Sequence, residues 1–239
     1  MSLRWYFLNI RDEESAAAFL RERGVFHQHR SCPSCHHDMQ LCSRGPTVCP
    51  QWKCRNSPCR RRVSARQATW FAGSRRRLSL EKAIGVIVAW SIQLSSLKFC
   101  KTQLGLNEST TVRWNRHLRS VAAQAVGEVS HPIGGPSKTV ELYEILLCRR
   151  KYNRGRPYGR RQWVFGGRCR ETGAPTFVRN NRTGRDCFVA KRAHRQRCGT
   201  HRSALPLHLC ELMWRRRLTP GEDEFDRIVH DIATLHPPV

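Results

Sequence analysis

Apolar and polar positions follow three different rhythms along this chain. From residue 79 to 95 the apolar positions recur at helical spacing, with Ile84, Ile87, Val88 and Trp90 on one side. A second short helix is expected over 97–104 and a third over about 108–122, with Val112, Leu118 and Val121 packing inward. Residues 12–24 read as one short helix. Asp12 can cap it, Glu13 and Glu14 complement its positive end, Arg21 and Arg23 its negative end, and Gly24 stops it. Residues 204–218 and 220–235 read as two more helices. In the last, Thr219, Pro220 and Glu222 form a capping box, and Phe225, Ile228, Val229, Ile232 and Leu235 recur at helical spacing. The pattern changes over 140–147, 163–168 and 176–179, which read as strands, the last two forming a hairpin through Glu171-Thr172-Gly173.

Between these elements lie stretches without periodicity. Residues 30–62 are polar, Cys-rich and broken by Pro33, Gly45, Pro46, Pro50 and Pro58. Such a segment cannot build a hydrophobic core, so something else must order it. Residues 130–138 are a linker by composition, and 181–203 are basic with no periodicity. The longest apolar run is Val86–Trp90, or Ala83–Trp90 with Gly85 inside it. That is far short of the roughly 20 residues a membrane span needs, and the amino-terminal segment reaches acid too soon for a secretory signal. No membrane association and no secretion are expected.

Charge changes the picture. Of 239 residues, 43 are Lys or Arg and 18 are Asp or Glu, a net charge of +25. Thirty-six of the basic residues are Arg, the planar fork that grips phosphate bidentately. Clusters fall at Arg60–Arg62, Arg75–Arg77, Arg149–Lys151, Arg160–Arg161, Arg192–Arg197 and Arg215–Arg217. One such cluster is ordinary solvated surface. Six along one chain favour a polyanionic partner, nucleic acid first.

Twelve Cys without a secretory signal point to a reducing compartment, where thiols hold metal or stay free. Cys32-Pro33-Ser34-Cys35 is a C-x2-C knuckle, and Cys54 with Cys59 forms a C-x4-C pair 18 residues later. Two tight pairs at that separation are the signature of a four-thiolate structural zinc site, and zinc would supply the folding energy that segment lacks. Cys42, Cys49, His36 and His37 compete as ligands. Downstream, helix 97–104, the turn Gly105-Leu106-Asn107 and a helix capped by Asn107 follow the helix-turn-helix pattern. There the start of the last helix enters the major groove, which makes Ser109, Thr110, Arg113 and Arg116 the groove-facing candidates.

The segments IGGPSKTVELYE, RRKYNRGR, QWVFGG and ETG resemble the transposases of Merlin-type DNA transposons, relatives of insertion-sequence transposases with a DDE-type nuclease. CPSCHHDM with WKCRNSPCRRRVSARQATWFAGS resembles that family's zinc ribbon, LGLNESTTVRW its helix-turn-helix, and LPLHLCELMWRRR with DEFDRIVHDIATLHP its carboxyl-terminal end. The resemblance covers roughly four fifths of the chain, in family order. It implies an α+β protein: an N-terminal helix over 1–26, a zinc ribbon over 27–76, a helix-turn-helix over 77–129, a linker over 130–138 and an RNase H-like α/β domain over 139–239.

The family cuts transposon ends and joins them to target DNA with acidic residues that hold Mg²⁺, a hard ion that takes oxygen ligands. This chain departs from it there. Tyr143 stands where the first catalytic Asp is expected, beside Glu141 and Glu144, which alternation puts on opposite faces of the strand. No Asp occurs between residues 39 and 185. The two later acidic motifs have no counterpart, so the RNase H-like domain reads as internally truncated. Asp186 lies in a basic, irregular stretch, and Glu222, Asp223, Glu224 and Asp226 read as the acidic first turn of a helix.

The expected function is therefore DNA binding, at transposon terminal repeats or sites derived from them, without nuclease activity and with structural zinc. Arg60, Arg61, Arg62, Arg149, Arg150, Lys151, Arg154 and Arg156 join the helix residues as DNA-contact candidates. Two alternatives stand beside it: an active Mg²⁺-dependent transposase, and a non-functional gene fragment. A homo-oligomer is compatible with the resemblance. The expected location is the nucleus in a eukaryote, or otherwise with intracellular DNA.

Overall fold

The computed structural model describes residues 2–128, 136–146, 163–171, 175–178 and 203–239. It is a mixture of helices with two small antiparallel sheets, and divides into two compact units, residues 1–121 with 220–239, and residues 122–219. No helix among the described residues is long and apolar enough to cross a membrane.

The first unit opens with two helices where the pattern predicts one. α1 spans Leu3–Asn9 and α2 spans Glu13–Glu22. Ser2 caps α1 by accepting from the Trp5 N–H at 3.2 Å. A seven-residue helix is too short to reveal itself by periodicity. α2 begins as expected: the Asp12 carboxylate accepts from the Ser15 N–H at 2.7 Å, while Gly24 past the helix end has φ +73°. Glu13 does more than complement the helix dipole from the first turn. It is buried, its Oε2 accepts from Arg66 Nη2 at 2.9 Å, and its Oε1 accepts the Leu80 N–H.

β1 (Met39–Cys42), β2 (Gln51–Cys54) and β3 (Arg62–Ser64) form an antiparallel sheet in that order. The polar stretch does contribute a small apolar face. Met39, Trp52 and Val63 are buried, while Gln40, Lys53 and Arg62 lie exposed on the other face. After β3, Trp70 and Phe71 join Phe26 and Trp114 in an aromatic cluster of near-perpendicular and tilted pairs, with ring centroids 5.2 to 6.1 Å apart. Each such pair adds about 0.5–1.5 kcal/mol beyond its buried area.

α3 (Leu80–Ser91) is buried on all sides, as its continuous apolar run demands. It ends at Ser91 rather than 95, where Gln93 turns into the left-handed region at φ +62°. Gly85 lets α1 approach it closely. A Cβ there would lie 2.7 Å from the Tyr6 hydroxyl, which donates to the Glu81 carbonyl at 3.0 Å. α4 spans Leu97–Leu104 and ends at Gly105 in the left-handed conformation, φ +61°. α5 spans Glu108–Glu128, six residues past the expected end. Val126 is still buried there, and Gly127 did not stop the helix.

α7 (Glu224–Leu235) corrects the expected organisation at the other end. Its cap is Asp223, which accepts from the N–H groups of Phe225 and Asp226, and not Thr219. Gly221 at φ +90° keeps residues 220–222 out of the helix. Placed by sequence with the carboxyl-terminal domain, α7 belongs to the first unit instead. It contacts α3, Phe225 stacks obliquely on Phe19 with centroids 5.9 Å apart, and Arg23 pairs with Asp226 at 2.5 Å.

In the second unit, β4 (Val140–Leu146), β5 (Trp163–Cys169) and β6 (Pro175–Val178) form an antiparallel sheet with β5 central. Val140 pairs with Cys169 and Leu146 with Trp163, while Phe165 pairs with Val178. α6 (Leu205–Arg216) lies against β6 and holds a buried Glu211, 3.3 Å from Arg215. Arg217 donates to the Val126 carbonyl at 3.0 Å.

Candidate functional site

The first unit carries two features with chemistry. One is the cysteine cluster. The turn Cys32–Cys35 precedes β1, Cys54 ends β2, and Cys59 sits in the following turn. Antiparallel pairing of Met39 with Cys54 brings the second pair beside the first. The four Sγ atoms all lie within 4.8 Å of one another, with Cys35 and Cys54 3.4 Å apart and Cys32 and Cys59 3.6 Å apart. A tetrahedral ion with Zn–S bonds of about 2.3 Å spaces its sulfurs about 3.8 Å apart, so these four fit one metal ion.

The electrostatics point the same way. The Ser34 N–H holds the Cys32 thiol below its ordinary range, and the His37 N–H lowers Cys35 to about 6. Burial pushes Cys54 up to about 12. Four thiolates this close cannot all ionise without a cation between them, and a divalent metal removes that conflict. Cys42, Cys49, His36 and His37 stand outside the group. The Cys42 thiol points to the Gln40 carbonyl at 3.7 Å, and burial raises the Cys49 thiol.

The second feature is the outer face of α5. Asn107 caps the helix, its Oδ1 accepting from the Thr110 N–H at 2.7 Å. Thr111, Trp114, Asn115, Leu118 and Val121 face inward and are buried. The Asn115 amide donates to the Ser95 carbonyl at 3.0 Å, holding α5 to the turn before α4. Ser109, Arg113 and Arg116 are exposed, and Thr110 is half-buried. Val112 is not inward as expected. It is 57% exposed and shares the stripe with Ser109, Arg113 and Arg116. Trp114 takes the inward place because its ring fits against Trp70 and Phe71.

The sheet β1–β3 and the turn before β3 add a cationic face of their own. Arg60, Arg61 and Arg62 are exposed, Arg61 donating to the Ser34 hydroxyl at 2.6 Å. Lys53 stands directly opposite Arg62 across β2 and β3, an arrangement that repels unless an anion lies over it. Sequence reasoning missed Lys53, which only the strand register could reveal. Among the described residues, no ion pair neutralises Lys53, Arg60, Arg61, Arg62, Arg113 or Arg116.

Other basic clusters serve the fold in part. Arg75 lies over the Trp70 ring at 4.7 Å, and Arg215 pairs with Glu211. Arg149, Arg150, Lys151, Arg154 and Arg156 lie outside the described residues, as does Asp186. Glu141 is hydrogen-bonded by Arg170 at 2.7 Å. Tyr143 and Glu144 pair with Gly166 and Phe165 along β4, and their side chains lie outside the description. Among the described residues, the cysteine group is the one set of potential metal ligands gathered together.

No family model, curated protein or solved structure matches the chain.

Proposed function

We propose that this protein binds duplex DNA through α5 and the ribbon, that zinc holds the ribbon together, and that it descends from a Merlin-type transposase without retaining its nuclease. The observation that carries the reading is the division of α5. One face is locked into the core through Thr111, Trp114, Asn115 and Leu118, while the opposite face leaves Arg113 and Arg116 exposed with no carboxylate partner among the described residues. A rigid helix after a short glycine-bearing turn, with free arginines near its start, suits the major groove. Zinc suits four thiolates better than hard cations do. In this reading its role is structural, since four protein ligands leave no open position. Tyr143, at the position of the family's first metal-binding Asp, supports loss of strand cleavage because a neutral phenol is a poor Mg²⁺ ligand.

Titration of fluorescent duplex DNA with zinc-loaded protein tests the binding. If 6–10 phosphates are neutralised, affinity falls about 10³–10⁵-fold between about 50 and 200 mM salt. Arg113→Ala/Arg116→Ala weakens binding. A salt-independent signal, or a double variant that binds as tightly as the parent, defeats the proposal.

A further inference from the structure

Val112 occupies a position that neither the core nor helix stability explains. It is 57% exposed, so it packs against little. A β-branched residue on an exposed helix surface is also a poorer helix former than Ala, Glu, Lys or Arg. Its neighbours on the same face are Ser109, Arg113 and Arg116, spaced at i−3, i+1 and i+4 from it. It is a single apolar side chain among polar ones, too small to form a protein-docking patch. The other exposed apolar residues of this region, Leu94 and Leu97, lie before α4 and in its first turn, not on this stripe.

We infer that Val112 is a specificity-determining residue that recognises the 5-methyl group of a thymine in the site contacted by α5. The inference rests on the proposed groove binding of that helix. Its chemistry follows from what each side can offer. Valine has no donor or acceptor and cannot read the hydrogen-bonding edge of a base. The one apolar group that distinguishes the natural bases in the major groove is the thymine methyl. Arg113 and Arg116, one position and one helical turn away, are suited to guanine edges or phosphates. Ser109, with a hydroxyl that can donate or accept, discriminates least. Within this stripe, the discrimination of thymine falls to Val112.

The test separates this inference from the reading beneath it. Sites are selected from a random duplex pool with the zinc-loaded full chain. Each thymine of the selected site is then replaced in turn by uracil, which pairs identically and lacks only the methyl. One replacement is expected to weaken the parent about fourfold, the factor that burying one methyl group is worth. That same replacement should weaken Val112→Ala less than the parent, because the shorter alanine side chain meets the methyl less well. Because Val112 is exposed and Ala is the better helix former, Val112→Ala should unfold no lower than the parent, and its salt dependence should match. Uracil tolerated at every position overturns the inference, as does equal sensitivity in Val112→Ala. Salt-dependent binding without any selected sequence also overturns it while leaving DNA binding intact. Absence of binding to any duplex removes both.

Discussion

The buried pair between Glu13 and Arg66 ties three pieces of the first unit together, and its removal should be felt throughout that unit. Glu13 starts α2, Arg66 follows β3, and the Leu80 N–H bonded by the same carboxylate opens α3. The two side chains are 5% and 7% exposed, with Arg66 Nη2 2.9 Å from Glu13 Oε2. Arg66 also donates to the Leu78 carbonyl at 2.5 Å. At an effective dielectric constant of about 20, two unit charges about 4 Å apart attract by about 4 kcal/mol. Glu13→Gln keeps the shape and one acceptor but leaves the guanidinium buried without its carboxylate. Breaking such a pair from one side costs about 3–5 kcal/mol, much of the 5–15 kcal/mol that a typical domain has in hand. Replacing both partners, as Glu13→Leu/Arg66→Met, removes the unpaired charge and should recover most of that loss. Urea unfolding in excess zinc, followed by tryptophan fluorescence, measures all three proteins. A loss below about 1 kcal/mol in Glu13→Gln would refute the reasoning, as would a double variant weaker than the single one.

Chelation should unfold the ribbon, because structural zinc contributes about 10–16 kcal/mol to such small modules. About one zinc per chain is expected, lost in Cys54→Ser and retained in Cys42→Ser and Cys49→Ser; unchanged affinity in Cys54→Ser would exclude the site. The imidazoles of His27 and His117 are held below their ordinary value, chiefly by burial, with Arg30 acting on the first and Arg75, Arg113 and Arg116 on the second. At higher pH neither the folded nor the unfolded form carries these protons, so pH has no effect through them. As pH falls through about 6.5 the unfolded chain binds protons that the folded one refuses, and stability drops until the folded imidazoles titrate. His27→Asn/His117→Asn should narrow the difference in urea midpoint between about pH 8 and pH 6; an unchanged difference would contradict this cause.

Where chemistry imposes a spacing, the sequence was readable. Four cysteines able to hold one ion announce themselves by two short intervals, and they lie together here. α4 follows its expected bounds because Ser96 and Gly105 mark its ends by local backbone chemistry. Long-range partners were not readable. Glu13 looks like any acid at a helix start, and only Arg66, 53 positions away, reveals its role. The facing of Val112 was misjudged because Val112 and Trp114 are both apolar, and helical spacing does not say which of them meets the core. The aromatic rings of Trp70 and Phe71 decided it. Pro220 attracted a helix start to itself, but Gly221 and the stronger cap at Asp223 moved it.

The return of residues 220–239 to the amino-terminal unit sets an order of events during synthesis. Phe225, Ile228, Val229 and Ile232 are all buried there, and the Val239 N–H bonds the Ala68 carbonyl at 3.1 Å. A nascent polypeptide that has already displayed its ribbon and α5 outside the ribosome still lacks the helix that covers Phe19 and α3. Those surfaces stay available to chaperones and proteases until α7 emerges and closes over them.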